Sequence, residues 1–190
     1  MEQQHIHEAR KVFHDLTEMI PDSDFVREWS RKLDSCKEFD EEQFIHDISY
    51  EENFEKYLDL LRIAAKRYMV LITSCDTPWW THFTQNLTSK LMSIGLKVDL
   101  YQKFRCSYAA IINQGDLLFE AISPSQLVKW SGHVGEAQIS VESRRYNILE
   151  CFGTVAVNTY QYSRRFRGLC FAVYDQKRDR MLDLTTFDVF

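Results

Sequence analysis

The run "YMVLITSC", residues Tyr68 to Cys75, holds no charged side chain and is rich in residues that favour extended backbone. A strand turns successive side chains to opposite faces, and both faces of this one are largely apolar, so it has to be covered on both sides. The run therefore predicts a central strand in a sheet with layers above and below. A chain of 190 residues, 45% of them hydrophobic, has enough apolar surface to build one such core.

Helices come before it. Ile6, Val12, Phe13, Leu16 and Ile20 recur at three- and four-residue spacing, which predicts an amphipathic helix ended by Pro21. A second begins at Ser23 or Asp24 as cap and turns Phe25, Val26, Trp29 and Leu33 inward, and a third covers Phe39 to Ile48. In "NFEKYLDLLRIAAKR", Phe54, Tyr57, Leu58, Leu61 and Ala65 form one stripe. Charge separates these regions: residues 1–55 hold 16 acidic and 6 basic side chains, a net −10, whereas residues 56–190 hold 12 and 17, a net +5. The reading is an acidic helical segment, 1–53, followed by an α+β domain, 54–190.

Beyond the central strand, "DTPWWTHFTQNLTSKLMSIG" predicts a helix with Asp76 or Thr77 as cap, Pro78 at the first helical position and Gly95 as stop. "LKVDLY", "SYAAIIN", "LLFEAIS", "AQISVES", "TVAVNTY", "GLCFAVYD" and "MLDLTTFDV" read as strands, with hairpin turns at "NQGD" and "DQKRDR". The expected fold class is α+β: mixed, mainly antiparallel β-sheets with packed helices, plus an N-terminal helical segment.

Several functions are disfavoured. No stretch approaches the roughly 20 apolar residues of a membrane span and the start lacks a secretory pattern, so the expectation is a soluble, cytoplasmic protein. A pI of 5.7 without a long basic run argues against nucleic acid as partner. Cys36, Cys75, Cys106, Cys151 and Cys170 are odd in number and include no C-x-x-C, which suggests buried thiols and neither a disulfide set nor a zinc site. His5, His7, His14 and His46 lack metal-ligand pairing, and six glycines without a G-x-G disfavour a phosphate-cradling loop, so no cofactor is expected. A nucleophile at Cys75 or Cys106, with His82 or His133 as base, has no supporting local motif.

Three charged residues stand at strand ends: Asp76 after "YMVLITSC", Arg105 before "SYAAIIN" and Arg167 before "GLCFAVYD". An acid that accepts from vicinal hydroxyls, two guanidinium forks that donate to ring or acetamido oxygens, and an aromatic plane from Trp79 or Trp80 make a workable sugar site. Solvated strand ends, or a structural ion pair with Asp76, are the competing interpretation. On a helix the two tryptophans would point about 100° apart, one to the sheet and one to a ligand.

The two halves of the chain resemble a known family. "VESRRYN…VNTYQYSRRFRGLCFAVYDQKRDRMLDLTTFD" is similar to the half of the interleukin-like EMT inducer (PANDER-like) domain that carries R-G and ends in F-D-T. "FEKYLDLLRIAAKRYMVLITSCD…LTSKLMSIGLKVDLYQKFRCSYAAIINQGD" resembles the other half, in the reverse order, as in a circular permutation. The resemblance implies a non-catalytic lectin-like module like the stem domain of the protein O-mannose N-acetylglucosaminyltransferase, where an arginine of R-G, an acid after the apolar strand and a second arginine grip N-acetylglucosamine. Those positions are Arg167, Asp76 and Arg105 here. Arg145 replaces the glycine of the family's S-x-G-Y, and Cys106 and "TPWW" also depart from the pattern. The implied partner is a glycan, N-acetylglucosamine-terminated or, given Arg164 and Arg165, acidic. The alternative is a protein-interaction or scaffold domain that engages a partner through residues 1–53.

Overall fold

The structure, a computed structural model, describes residues 39–79, 81, 83–147, 150–164 and 167–189. The first two expected helices, Cys36, Trp80, His82 and Arg165 lie outside the described residues. The chain divides into two compact units, Met1–Glu42 and Gln43–Phe190. The described residues form three helices, α1 (Glu41–Tyr50), α2 (Phe54–Arg67) and α3 (Gln85–Ser93), and nine strands. These are β1 (Met69–Cys75), β2 (Ser107–Asn113), β3 (Asp116–Ser123), β4 (Val128–Val134), β5 (Ala137–Asn147), β6 (Glu150–Val157), β7 (Tyr160–Arg164), β8 (Gly168–Asp175) and β9 (Arg180–Phe187).

The strands make two antiparallel sheets, ordered β3-β2-β1-β8-β9 and β4-β5-β6-β7, in a mostly-sheet α+β fold. β1 is central and buried at every position, flanked by β2 and β8. Met69, Leu71, Ala109, Ile111, Ala172 and Tyr174 of the first sheet meet Ile139, Val141, Val155 and Val157 of the second in one apolar core. Each large aliphatic side chain so removed from water contributes roughly 1.5–3 kcal/mol.

The other face of β1 is covered by helix, as its two apolar faces require. Asn53 caps α2 by accepting from the Lys56 N–H, and Tyr57, Leu58, Leu61, Ala64 and Ala65 are buried beneath it. Tyr57 lies 5.5 Å from the Phe171 ring of β8 and donates its hydroxyl to Asp183 of β9 at 2.7 Å. Between β2 and β3, Gln114 and Gly115 at φ 50° and 94° form the expected two-residue hairpin turn.

Three expectations need correction. The helix after β1 begins at Gln85 and is capped by the Thr84 side chain on the Leu87 N–H. The residue types at Asp76–Pro78 suit a cap, but the Thr77 hydroxyl is already occupied by Trp79 and Arg105. "LKVDLY" is a loop, in which the Glu120 carboxylate takes the Lys97 and Val98 N–H groups at 2.8 and 3.1 Å in place of a partner strand. The strand reading also missed β4 in "VKWSGHV" and ran "TVAVNTY" through the turn between β6 and β7, so two strands of the second sheet were not anticipated.

Candidate functional site

One end of the sandwich gathers the last residues of β1 and the first residues of β2 and β8. At that end Asp76 has φ 69°, and the Thr77 N–H donates to the Cys75 carbonyl at 2.9 Å across it. A hydrogen bond spanning one residue of positive φ defines the rarer, strained γ-turn, a conformation that costs about 1–3 kcal/mol. The turn folds the Asp76 side chain back into the protein, where the residue is 7% exposed and its Oδ1 has no hydrogen-bond partner among the described residues. Burial pushes the carboxyl pKa above its usual value, and the positive charges of Arg105 and Arg167 oppose that shift.

Arg105 is held by backbone chemistry. Its N–H donates to the Thr77 Oγ1 at 3.0 Å, it has φ 50°, and its guanidinium lies 5.2 Å from the centre of the Phe104 ring. The fully buried Thr77 donates the same hydroxyl to the Trp79 carbonyl at 2.7 Å. Arg167 precedes Gly168, the residue paired with Cys75 across the β1–β8 ladder. Arg105 and Arg167 therefore both act on Asp76 at one end of the sheet.

Trp79 has a different environment from the one expected. It is half-buried, its indole N–H donates to the Phe83 carbonyl at 3.0 Å, and its ring meets Tyr101 edge-on at 5.9 Å. No helix carries it, so the argument from helical angles does not apply. Trp80 lies outside the described residues.

Arg145, which stands where the family pattern has glycine, also arrives here. Arg145 forms an isolated parallel bridge with Asp76, and its N–H donates to the Ser107 hydroxyl at 2.9 Å. Ahead of it, the Ser143 hydroxyl donates to the Ser74 carbonyl at 2.6 Å and accepts from the Tyr108 N–H at 3.0 Å. Buried hydroxyls of Ser74, Ser107 and Ser143 thus fasten β5 between the ends of β1 and β2. The alternation of β5 was the available signal, since it places residues 141, 143 and 145 on the face turned toward the first sheet.

The thiol chemistry fares less well. Burial pushes the Cys106 thiol pKa up, against Lys103 and Arg145, and its Sγ lies 3.5 Å from the Phe104 carbonyl oxygen. A buried, protonated thiol is a poor nucleophile. His133 is exposed on β4. Among the described residues no group of three or more His, Cys, Asp or Glu side chains is arranged to hold a metal ion, and no helix is long and apolar enough to cross a membrane.

A shallow cleft of about 490 Å³ lies elsewhere, lined by His46, Tyr50, Lys56, Asp59 and Ile63 among others, and includes none of Asp76, Arg105 or Arg167. Chemistry favours the Asp76 end, where a buried carboxylate lies under the influence of two guanidinium groups. The chain matches no protein-family model, no curated protein and no solved structure.

Proposed function

We propose that the Asp76 end of the sandwich is a non-catalytic carbohydrate-recognition site, of the kind that serves glycan assembly or capture. The observation that carries this reading is the Asp76 carboxylate, buried in a strained turn with an Oδ1 that no described group satisfies. A buried acceptor without a partner is costly, and a ligand hydroxyl relieves that cost. Arg105 and Arg167 supply donors for ring, hydroxyl or acetamido oxygens, and Phe104, 40% exposed beneath the Arg105 guanidinium, offers an aromatic face. The resemblance to the interleukin-like EMT inducer domain assigns the same three positions to N-acetylglucosamine. Few polar contacts against sugar desolvation give a weak complex, with Kd on the order of 10⁻⁵ to 10⁻³ M.

Titration with N-acetylglucosamine-terminated oligosaccharides, chosen from a broad glycan array, tests the reading. Asp76→Asn should weaken binding at least about tenfold with the fold intact. An array on which nothing binds, or an Asp76→Asn protein that binds as the wild type does, overturns it.

A second reading, a protein-interaction module, draws on the cleft beside α1 and α2, where Tyr50 and Ile63 are 75% and 40% exposed. Replacing the exposed Tyr50 and Ile63 together by alanine distinguishes the two. Loss of a protein partner by this variant, from a protein that binds no glycan, favours interaction over recognition of a glycan.

A further inference from the structure

The hairpin of α1 and α2 carries charges that the molecule does not settle internally. Its cleft is built from positions 46, 47 and 50 of α1 and positions 56, 59, 60 and 63 of α2, the three- and four-residue spacing that lines one face of a helix. All of them belong to the Gln43–Phe190 unit. Tyr50 and Ile63, 75% and 40% exposed, are the cleft's uncovered apolar surface, and the His46 ring lies 4.9 Å from that of Tyr50.

The charges divide by element. Asp59 is neutralised from α3, where the Lys90 ammonium lies 2.7 Å away. Asp47 and Glu51, on α1 and the link that follows it, each commit one oxygen locally: to the Gln43 side chain at 2.6 Å and to the Asn53 N–H at 2.8 Å. Lys56 and Arg62, both on α2 and both exposed, form no ion pair among the described residues. Two acids therefore stand on one side of the cleft and two bases on the other. A strongly acidic or strongly basic partner would meet as much repulsion as attraction there. A copy of the same patch, turned about a two-fold axis, sets the acids of each molecule against the bases of the other, with the apolar side chains between them. Such a contact needs a self-complementary surface, and a neutral patch with its signs separated is one.

We propose that this cleft is the contact face of a homodimer, in which Asp47 and Glu51 of each chain meet Lys56 and Arg62 of the other and Tyr50 and Ile63 fill the centre. The proposal is independent of carbohydrate recognition and gives the interaction reading of the cleft its partner. Exposed ion pairs contribute little and the patch is small, so the dimer is weak, with Kd on the order of 10⁻⁵ to 10⁻⁴ M.

Sedimentation equilibrium of the full chain at about 5 to 500 µM tests it. At low salt the wild type should pass from monomer to dimer over that range, and high ionic strength should weaken the dimer. Lys56→Glu with Arg62→Glu, and separately Asp47→Lys with Glu51→Lys, should each weaken self-association at least about tenfold with unchanged circular dichroism. An equimolar mixture of the two variants should dimerise again, because opposite signs then face each other throughout. A dimer that neither double reversal weakens lies elsewhere on the molecule and overturns the proposal. Two dissociated variants that fail to pair on mixing overturn the two-fold arrangement. A wild type that stays monomeric throughout overturns the homodimer, and a carbodiimide cross-link in that monomer from Lys56 to a carboxylate of residues 1–38 gives the cleft to the chain's own first segment. Glycan titration of the same variants should match the wild type, since the cleft includes none of Asp76, Arg105 or Arg167, so the two readings fail separately.

Discussion

Gly168 and Phe187 approach so closely that a Cβ on Gly168 would lie 1.9 Å from the Phe187 carbonyl oxygen. Gly168 also has φ 114°, a region that L side chains rarely adopt. This contact sets the start of β8, and with it the place where Arg167 leaves the sheet. Gly168→Ala should therefore destabilise the protein by more than about 2 kcal/mol, since neither a backbone carbonyl nor the φ can adjust cheaply. A urea unfolding midpoint equal to that of the wild type would refute the close approach.

The turn at Asp76 sets stability against binding. Asp76→Gly relieves the positive-φ strain and removes a buried carboxylate, against a smaller entropic cost of glycine in the unfolded chain. A gain of about 1 kcal/mol is expected, or about 2–4 °C in Tm, together with loss of glycan binding. A lower Tm for this variant would mean that the turn is not strained.

Acid and stability should vary together in an unusual direction. Asp76 and Asp183 both have pKa values raised above 3.8, in each case chiefly by burial. A raised folded-state pKa means that the folded protein holds its proton longer. The stabilising contribution is complete below the unfolded value and is lost as pH rises through the folded one. From about pH 4 upward these two groups make the fold less stable, while sugar binding that needs ionised Asp76 grows stronger. Asp183→Asn should flatten the stability profile over that window, as read by denaturant titration at a series of pH values, and an unchanged slope would exclude Asp183 as its source.

At the alkaline end, Tyr174 has its pKa pushed up to about 12 by burial and by its hydrogen bond to Asp179. Its contribution is present below the ordinary value of 10.0 and lost as pH rises through about 12. Tyr57 and Tyr108 are raised well above their ordinary value by burial and by Asp183 and Glu120 respectively. Stability should fall steeply above about pH 10, and less steeply in Tyr174→Phe. Thermal unfolding across that range reads both slopes.

Much of this was legible where the signal is local. The uncharged run at Met69–Cys75 could only be a doubly covered strand, and Gln114–Gly115 could only be a tight turn. Asp76, Arg105 and Arg167 were identifiable because each sits at a strand end, where side chains from different strands meet. The helix after β1 was misplaced because Asp76-Thr77-Pro78 and Thr84 both carry capping chemistry. Which one acts depends on Thr77 being taken by Trp79 and Arg105, the latter 28 residues away in sequence. β4 was obscured because Ser131 and Gly132 dilute an alternation otherwise marked by Val128, Trp130 and Val134. The alternation of β5 put Arg145 on the inward face, but its place beside Asp76 follows from β5 meeting the end of β1, a pairing no local pattern encodes.

The serine hydroxyls that stitch β5 into the gap between β1 and β2 have a kinetic consequence. Two sheets joined only by oily side chains can shear, but a polar rivet at one end locks that rim in place before any visitor arrives. Because the Asp76 Oδ1 is buried within that fastened rim, ligand capture should need an opening step: the observed rate levels off at high sugar concentration.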